Sequence, residues 1–508
     1  MTTGSDSPQS GLSRRRLLTA AVAAGAASVV GGVSWWLNEE TTIGPGGPEV
    51  DAAERARARS GRITAMNLTA ALETVDLAGT TVSTWLYNGA LHAPEIRVRR
   101  GDLLQVGTRN DLPAATSIHW HGIALRNDMD GVPGMTGPSI EPARSFRYSF
   151  VVPDAGTYWY HPHSGVQLDR GLYGPLIVED PDERSSPDVE HVLMLDDWLD
   201  GMPGTPEVQL AALRTKGMSG GMAGMHMSGG MGLDVTAAQP LGLDGGDVTY
   251  PLHLINGRPP ADPLTLRTRP GQRVRLRIIN AGSDTAYRFA VAGHRLTVTH
   301  ADGFPVVPVE VDALIIGMGE RYDVQLTAGD GAFAIVAVPE SKPGPGAFAV
   351  LRTGGAATPS PVPLPTELRG RLLTYHDLRP VAGTELSSKS SERLIDVALG
   401  VDMTGYRWTI NGKAGERNVP PLTVRSGEQV RIRYRNHTGM FHPMHVHGHT
   451  FALLDATGPG TRKDTVIVPP GATVTTTLLA DNPGQWMVHC HNAYHLAGGM
   501  AAVLSYES

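Results

Sequence analysis

One pattern occurs three times in the 508-residue chain and limits its possible folds more than any other feature. Each copy starts with Asn-Gly, continues to a turn glycine, and ends with an asparagine nine residues after that glycine. The copies are NGALHAPEIRVRRGDLLQVGTRN (88–110), NGRPPADPLTLRTRPGQRVRLRIIN (256–280) and NGKAGERNVPPLTVRSGEQVRIRYRN (411–436). Apolar and polar residues alternate before the final asparagine, as in a half-buried strand. The repeat therefore predicts three related β domains.

The spacing and composition of the chain agree with this prediction. The copies begin at residues 88, 256 and 411, which fits β-sandwich domains that carry insertions. With 61 Gly, 38 Pro and no sustained helical periodicity, the chain favours short strands joined by many turns. We therefore predict an all-β fold of three consecutive sandwiches. The predicted segments are an export signal and linker at 1–59, β domains at 60–180, 248–355 and 367–508, and linkers at 181–247 and 356–366.

The amino terminus indicates where the protein works, and the net charge argues against one class of partner. Arg14, Arg15 and Arg16 precede a run of small apolar residues, which resembles a bacterial twin-arginine export signal. We expect a periplasmic, cell-envelope or secreted protein. The apolar run continues to about Leu37, so the segment is either cleaved or kept as a membrane anchor. A net charge of -7 argues against a nucleic-acid partner.

Histidine pairs follow the repeat in its first and third copies. Nine residues beyond the repeat asparagine, the first copy has His119 and His121, and the third has His445 and His447. The second copy has Phe289 at that place. A second set of pairs, each beginning five residues after a glycine, is His161 with His163 and His489 with His491. The first and third domains therefore share two histidine-bearing strands that the second domain lacks.

The spacing within each pair favours a metal site. Residues i and i+2 of a strand project to the same face, so each H-x-H pair presents two imidazoles side by side. A single pair is commonly an ordinary surface or core feature, whereas four pairs that follow one duplication predict a shared site. Imidazole binds copper, zinc, iron and nickel, so the histidines alone do not select the metal.

The single cysteine of the chain indicates copper. Cys490, together with His442 and His495, supplies the two imidazoles and one thiolate of a blue-copper centre, and Met500 is a candidate weak axial ligand. A lone cysteine can instead be a small buried apolar residue. The duplication favours the ligand, because Cys490 aligns with Pro162 in the first domain, where no thiol is present.

These motifs resemble those of the multicopper oxidases, in particular the three-domain bacterial laccases and cuprous oxidases. The matching elements are HWHG, HPH, HPMHVHGH and HCHNAYHLAGGM, and the resemblance covers about residues 60–508. It implies three cupredoxin-like Greek-key sandwiches and four copper ions, one of type 1, one of type 2 and two of type 3. The implied ligands are His442, Cys490, His495 and axial Met500 for type 1, His119 and His445 for type 2, and His121, His161, His163, His447, His489 and His491 for type 3.

The resemblance also implies a reaction. Electrons from the substrate enter at the type 1 site and pass through Cys490 to the cluster, where dioxygen takes four electrons and four protons to give two waters. Asp130 lies where the family has a carboxylate after the first motif, and we expect it to donate protons, the alternative being a solvated turn residue. Many bacterial relatives have a carboxylate in or after the last motif, where this chain has Asn492 and Leu496. Met500 implies a low or middle potential.

A methionine-rich segment between the first two domains bears on the substrate. Residues 217–234 contain too few core-forming side chains to pack, which predicts a mobile loop. Thioethers are soft ligands that favour Cu(I). The segment resembles the methionine-rich insertions of cuprous oxidases, the alternative being a linker in which methionine is incidental. The candidate Cu(I) ligands are Met218, Met222, Met225, His226, Met227 and Met231.

Three functions are therefore considered. The first is a cuprous oxidase in copper tolerance that also oxidises phenols and aromatic amines, with dioxygen as the acceptor. The second is a laccase with an organic physiological substrate. The third is a copper-binding protein without enzymatic activity, which would need no electron route through Cys490.

Overall fold

The structure is a computed structural model. It describes residue 1 and residues 42–508, except for 184–186, 203, 218–238, 345, 387–392, 403–404, 416–419 and 456–457. Six sheets, arranged as three pairs along the chain, make up the strand framework of these residues. The predicted all-β class with three cupredoxin-like sandwiches is confirmed.

The first sandwich consists of two four-stranded sheets. Its strands are β1 (Ile63–Leu77), β2 (Thr80–Tyr87), β3 (Ile96–Arg99), β4 (Leu103–Asn110), β5 (His119–His121), β6 (Ser145–Val151), β7 (Gly156–His161) and β8 (Gly174–Glu179). The strand orders are β2-β1-β4-β6 and β3-β8-β7-β5. Strands β1 and β4 run parallel, whereas β5 and β7 pair antiparallel.

The second sandwich has a six-stranded and a five-stranded sheet. Its strands are β9 (Val189–Trp198), β10 (Leu252–Ile255), β11 (Leu264–Arg267), β12 (Arg273–Asn280), β13 (Tyr287–Val291), β14 (Leu296–Ala301), β15 (Phe304–Val311), β16 (Leu314–Ile316), β17 (Arg321–Thr327), β18 (Ala332–Pro339) and β19 (Ala347–Arg352). The strand orders are β10-β9-β12-β17-β14-β15 and β11-β19-β18-β13-β16.

The third sandwich has the same plan. Its strands are β20 (Arg393–Asp402), β21 (Arg407–Ile410), β22 (Leu422–Arg425), β23 (Gln429–Asn436), β24 (His442–Val446), β25 (Phe451–Asp455), β26 (Gly458–Lys463), β27 (Thr465–Val468), β28 (Thr473–Leu479), β29 (Gln485–Cys490) and β30 (Ala501–Glu507). The strand orders are β21-β20-β23-β28-β25-β26 and β22-β30-β29-β24-β27.

Helices are few and short in the described part of the chain. The α-helices are α1 (Pro48–Ala56), α2 (Pro206–Lys216) and α3 (Ala493–Ala497), and 3-10 turns lie at Asn127–Met129, Gln167–Asp169, Thr366–Arg369 and Tyr375–Asp377. The residues around α1 join the first sandwich to the third. Ile43 N donates to Tyr506 O at 2.8 Å, and Glu54 Oε1 accepts the amide of Val151 at 2.9 Å.

The asparagine that ends each sequence repeat has the same structural role in every sandwich. Asn110, Asn280 and Asn436 end β4, β12 and β23 with their side chains buried. Each Oδ1 accepts a backbone amide two residues on at 2.9 Å, and each Nδ2 donates to two or more backbone carbonyls of nearby loops. Because these loops lead to or flank β5, β13 and β24, the repeat asparagine fixes where the next strand begins.

The Asn-Gly dipeptide that starts each repeat forms a turn that only certain residues tolerate. Asn88, Asn256 and Asn411 have φ of 53°, 50° and 51°, and the glycine that follows each one also has a positive φ. Their side-chain oxygens accept the amides of Thr69, Met194 and Ala398 at 2.7–2.8 Å. Consecutive left-handed residues favour Asn-Gly, which explains why this dipeptide recurs.

The predicted division into domains differs from the strand pairing at two places. β9 lies inside the segment 181–247, predicted as a linker, yet it pairs with β10 and β12 because its apolar residues complete the sheet of the second sandwich. Leu372 and Pro380, predicted for the third domain, pair with Ala313 and Val306 of the second sandwich. We therefore propose sandwich boundaries at about 60–180, 189–380 and 393–508.

Apolar packing unites the first and third sandwiches. One continuous buried cluster contains side chains from both, such as Trp120 and Phe150 from the first and Ile432 and Val488 from the third. The second sandwich has its own separate core, which includes Leu276 and Phe289. The histidine-bearing strands β5, β7, β24 and β29 therefore meet at the interface of the two sandwiches that share a core.

The predicted amino-terminal export signal falls outside the described residues, as Arg14, Arg15 and Arg16 all precede residue 42. Among the helices that the structure does describe, none combines the length and the apolar character needed to cross a membrane.

Candidate metal centres

Strand pairing brings the histidine pairs face to face. In the first sandwich, β5 and β7 set His119 opposite His161, and in the third, β24 and β29 set His445 opposite His489. The two sandwiches then place these strands against each other, and the His121 and His445 rings stack with centroids 3.9 Å apart. The duplicated strands thus form one histidine cluster between the sandwiches.

The eight histidines fall into three groups, the first two of which share His121, and within each group the candidate ligand atoms lie within 4.8 Å of one another. The groups are His119, His121 and His445; His121, His161 and His491; and His163, His447 and His489. In the last group, His447 Nε2 and His163 Nε2 lie 3.0 and 3.5 Å from His489 Nε2. Each of the last two groups combines both sandwiches, as the predicted type 3 ligands require.

The cluster histidines are suited to bind metal ions. Burial, helped by the neighbouring imidazoles, lowers the pKa well below its usual value for His121, His161, His163, His447, His489 and His491. Neutral imidazole is the form that binds metals. The Nε2 atoms of His119, His161 and His445 have no hydrogen-bond partner among the described residues, although each ring is at most 3% exposed. Because buried polar atoms normally have a partner, these nitrogens fit metal ligands.

A separate cysteine site lies on the opposite face of β29. Cys490 Sγ is 3.6 Å from His442 Nδ1 and 3.5 Å from His495 Nδ1, and the two nitrogens are 3.1 Å apart. All three side chains are fully buried. This set of one thiol and two imidazoles fits the ligands of a blue-copper centre.

Three neighbours hold the two imidazoles of the cysteine site. Thr438 Oγ1 lies 2.8 Å from His442 Nε2, and Asp247 Oδ2 lies 3.1 Å from His495 Nε2. Trp408 packs over His495 with ring centroids 3.9 Å apart. Burial alone would lower the pKa of His495, but Cys490 and Asp247 offset it and raise the pKa to about 10.

Met500 is buried, and its backbone is hydrogen-bonded to Cys490 and His495. Its carbonyl accepts the amide of Cys490 at 3.1 Å, and its own amide donates to His495 O at 3.0 Å. Its side chain belongs to the same apolar cluster as Cys490. The axial ligand role of Met500 stays a prediction. The candidate Cu(I) ligands from Met218 to Met231 all lie outside the described residues.

Two buried aspartates support the cluster in a symmetric way. Asp130 Oδ1 lies 3.1 Å from His119 Nδ1, and its Oδ2 lies 2.9 Å from His447 Nδ1. Asp464 Oδ1 lies 3.5 Å from His445 Nδ1 and 3.1 Å from His121 Nε2. Each aspartate therefore contacts a histidine of its own sandwich and one of the other. The alternative of a solvated Asp130 is wrong, because its side chain is fully buried.

Sequence reasoning did not identify Asp464, Asp247, Thr438 or Trp408. The duplication contained a signal for Asp464, since the third sandwich needs a counterpart of Asp130. The spacing concealed it: Asp130 follows His119 by a short loop, whereas the β25–β26 hairpin separates Asp464 from His445. Asp247 and Thr438 lie in loops and Trp408 lies in β21, none of which the repeat includes.

The second sandwich supplies a positive charge beside the cluster and a glycine that leaves room for two of its histidines. Arg321 donates from Nη1 and Nη2 to the Asp464 carboxylate at 2.7 and 2.6 Å, and both side chains are fully buried. Burial would raise the pKa of Asp464, but Arg321 and the histidines hold it well below its usual range. A Cβ at Gly319 would lie 2.9 Å from His121 and from His491, so only glycine allows this close approach.

Comparison with known sequences agrees with this geometry. Three sequence profiles, each described as multicopper oxidase, match residues 69–183, 190–356 and 390–508. The chain belongs to the multicopper oxidase family. It is therefore an oxidase enzyme with copper as its cofactor.

Relatives within the multicopper oxidase family include bacterial and fungal proteins. Multicopper oxidase MmcO of Mycobacterium tuberculosis is 46% identical over 458 residues, which are 90% of each chain. A copper resistance protein A homolog of Pseudomonas syringae is 29% identical and covers 86% of this chain and 91% of its own. The crystal structure of the laccase from Botrytis aclada is 26% identical, with a TM-score of 0.72 over 95% of this chain and 93% of that chain.

Replacing Arg321 with methionine tests the contribution of the second sandwich. The Asp464 carboxylate would stay buried without its charged partner, which typically costs about 3–5 kcal/mol. We expect a fall of this size in the free energy of unfolding and fewer copper ions per chain, measured by denaturant titration and metal analysis.

Arg433→Met is the matched control, because Arg433 makes an equally bidentate but solvent-exposed contact with Asp396. It should change neither stability nor copper content measurably. Equal effects of the two substitutions would show that Arg321 has no special role at the cluster.

Proposed function

We propose that the protein is a cuprous oxidase that couples one-electron oxidation of Cu(I), and of phenols and aromatic amines, to reduction of dioxygen to two waters. The main support is one tripeptide, residues 489–491, which contributes side chains to both the cysteine site and the histidine cluster. Cys490 lies with His442 and His495, whereas His491 lies with His121 and His161, and His489 lies with His163 and His447. Bound copper would supply the one-electron chemistry and the reaction with dioxygen.

We assign four copper ions to these groups. His442, Cys490 and His495 would hold the type 1 ion, with Met500 as a weak further ligand. His119 and His445 would hold the type 2 ion. The type 3 pair would be held by His121, His161, His163, His447, His489 and His491.

Cys490 connects the two sites through the backbone. Its neighbours His489 and His491 face the cluster, and its own carbonyl oxygen lies 2.9 Å from His489 Nδ1. The route from the thiolate to the cluster therefore consists of covalent bonds and one hydrogen bond. The protein shields this route from water, since all three side chains are at most 2% exposed.

Electrons would enter at the His495 edge. Asp247 contacts His495 Nε2, and its side chain remains 13% exposed, so it links this ligand to the surface. Asp247 also accepts a hydrogen bond from Tyr406 at 2.6 Å, which fixes the carboxylate. A cationic or hydroxyl-bearing substrate would meet an acceptor there.

Cu(I) as substrate is supported by where the methionine-rich segment begins and ends. Before it, Arg214 Nη2 of α2 donates to Ala497 O of α3 at 2.9 Å, two residues after His495. After it, Asp244 pairs with Met440, two residues before His442. Both flanks therefore lie next to the proposed type 1 ligands. The similarity to a copper resistance protein A homolog supports a role in copper tolerance.

Export by the twin-arginine route is part of the proposal. Its support is the Arg14–Arg16 motif, and a periplasmic, cell-envelope or secreted location would suit an enzyme that removes Cu(I). The second candidate is a laccase with an organic substrate, which the likeness to fungal laccases favours. Membership of an oxidase family argues against a copper carrier without activity.

Steady-state oxygen consumption with Cu(I) and with a phenol separates these two functions. We expect deletion of residues 217–232 to lower kcat/KM for Cu(I) at least about tenfold, since thioethers that collect the ion would be lost. The phenol should be oxidised at the wild-type rate, which controls for folding and for copper loading. Unchanged turnover of Cu(I) after the deletion would favour the laccase.

Asp130 is proposed to donate protons at the cluster, because it lies in hydrogen-bond range of His119 and His447. Asp130→Asn keeps the shape of the side chain but cannot release a carboxyl proton. Side chains that transfer protons typically raise the rate of a reaction about 10²–10⁴-fold. We expect a slower reoxidation of the reduced enzyme by dioxygen, measured by stopped-flow absorbance, with anaerobic reduction of the blue centre unchanged. Reoxidation at the wild-type rate would rule out this role.

A further inference from the structure

Buried carboxylates from the first and second sandwiches lie near helix α3, which contains His495. Asp169, Asp196, Asp197 and Asp284 are each at most 2% exposed. They come from the turn after β7, from β9 and from the loop after β12, and none belongs to a sequence motif of the family resemblance. The last motif itself has no carboxylate at Asn492 or Leu496.

Hydrogen bonds connect these carboxylates to α3. Asp169 Oδ2 accepts the hydroxyl of Tyr494 at 2.5 Å, and Asp284 Oδ1 accepts Asn492 Nδ2 at 2.5 Å. The amide of Ala493 donates to Ser283 O at 2.8 Å. Of the three residues that separate His491 from His495, Asn492 and Tyr494 therefore bond to this acidic group, and Ala493 bonds to the residue before Asp284.

Several polar atoms between the acidic group and the cluster have no partner among the described residues. They are Asp169 Oδ1, Asp196 Oδ1, Ser283 Oγ, Trp159 Nε1 and His491 Nδ1. Trp159 packs in one apolar cluster with Leu168, Tyr173 and Ala493, and its ring is 4.3 Å from His161 and 5.5 Å from His491. Buried polar atoms of this kind are usually bridged by ordered water.

Tyr250 connects Asp169 to a cavity. Tyr250 donates its hydroxyl to Asp169 Oδ2 at 3.3 Å, and the same tyrosine lines a cavity of about 210 Å³ with Asp244, His253 and Lys342. The chain thus provides a hydrogen-bonded path from this cavity through Tyr250 to Asp169 and on to Tyr494 of α3.

The surroundings of Asp169 favour its protonated form. Burial first, and then the neighbouring charges of Asp197 and Asp196, raise its pKa well above the usual value, and the hydrogen bonds from Tyr494 and Tyr250 only partly offset this. Asp196, which accepts the Tyr173 hydroxyl at 2.6 Å, has its pKa raised by burial and by Asp197.

We propose that Tyr250 and Asp169 form a proton relay that supplies the histidine cluster during dioxygen reduction, in place of the carboxylate that the last motif lacks, and that the Tyr494 hydroxyl positions the Asp169 carboxyl group. The relay rests on the proposed function. Asp169 releases its carboxyl proton through bridging water towards His491 and regains one from the cavity through the Tyr250 hydroxyl. Four such transfers match the four electrons that convert one dioxygen to two waters, and every relay group returns to its starting state.

Asp169→Asn tests the relay, with Asp323→Asn as the matched control. Asp323 is equally buried, but Arg277 and neighbouring groups lower its pKa, so it is ionised. In metal-free protein at pH 7, Asp169→Asn should remove infrared absorbance of a protonated carboxyl group, whereas Asp323→Asn should not. If Asp169→Asn leaves that absorbance intact, the relay is overturned. The relay is also overturned if metal analysis finds an extra cation that the wild type binds tightly and that Asp169→Asn no longer binds.

Kinetics on the copper-loaded enzyme provide the second readout. We expect Asp169→Asn to slow reoxidation by dioxygen at least about tenfold, with anaerobic reduction of the blue centre unchanged. The slowing of reoxidation should become larger as the pH rises, because protons must come from bulk water once the Asp169 carboxyl group is lost. Tyr494→Phe removes only the hydroxyl and should show the same pH dependence. A pH-independent loss in both variants would indicate a structural role and overturn the relay.

The two readouts separate failure of the relay from failure of the proposed function. If the wild-type enzyme oxidised neither Cu(I) nor phenols with dioxygen, the proposed function would be wrong. The infrared measurement on metal-free protein would still decide whether Asp169 holds a proton.

Discussion

The grouping of eight imidazoles at one interface, seven of them buried and His163 partly buried, is the constraint on which the rest of the structure depends. Removing so many polar rings from water is unfavourable unless each nitrogen gains a partner. Half of the rings come from the first sandwich and half from the third, so neither sandwich can complete the cluster alone. The shared apolar core of these two sandwiches offsets that cost and holds the interface together.

The protein distributes the support of the cluster over all three sandwiches. Asp130 and Asp464 each bridge the interface by contacting one histidine on either side. The second sandwich, which has no histidine pair at Phe289, supplies Arg321 for Asp464 and Asp284 for Asn492, the residue before α3. We interpret the second sandwich as having exchanged a metal-binding role for an electrostatic one.

The sequence predicted the features that depend on local geometry. Alternating strands and two-residue histidine spacing are local, so β4, β12 and β23 and the histidine-bearing strands followed from the repeat. Contacts made by loops of variable length were not accessible in this way, which is why Asp464 and Asp247 were missed. β9 was missed because its acidic end, including Asp196 and Asp197, resembles a polar linker, although the structure buries both side chains.

Copper content and visible absorption of wild-type and Cys490→Ser protein test the central claim that one tripeptide serves two separate copper sites. We predict four copper ions per chain and a blue absorption band in the wild type. Cys490→Ser should lose the blue band and one copper ion and should keep the other three, because the cluster histidines are unchanged. A variant that kept the blue band, or that lost all of its copper together, would contradict this account.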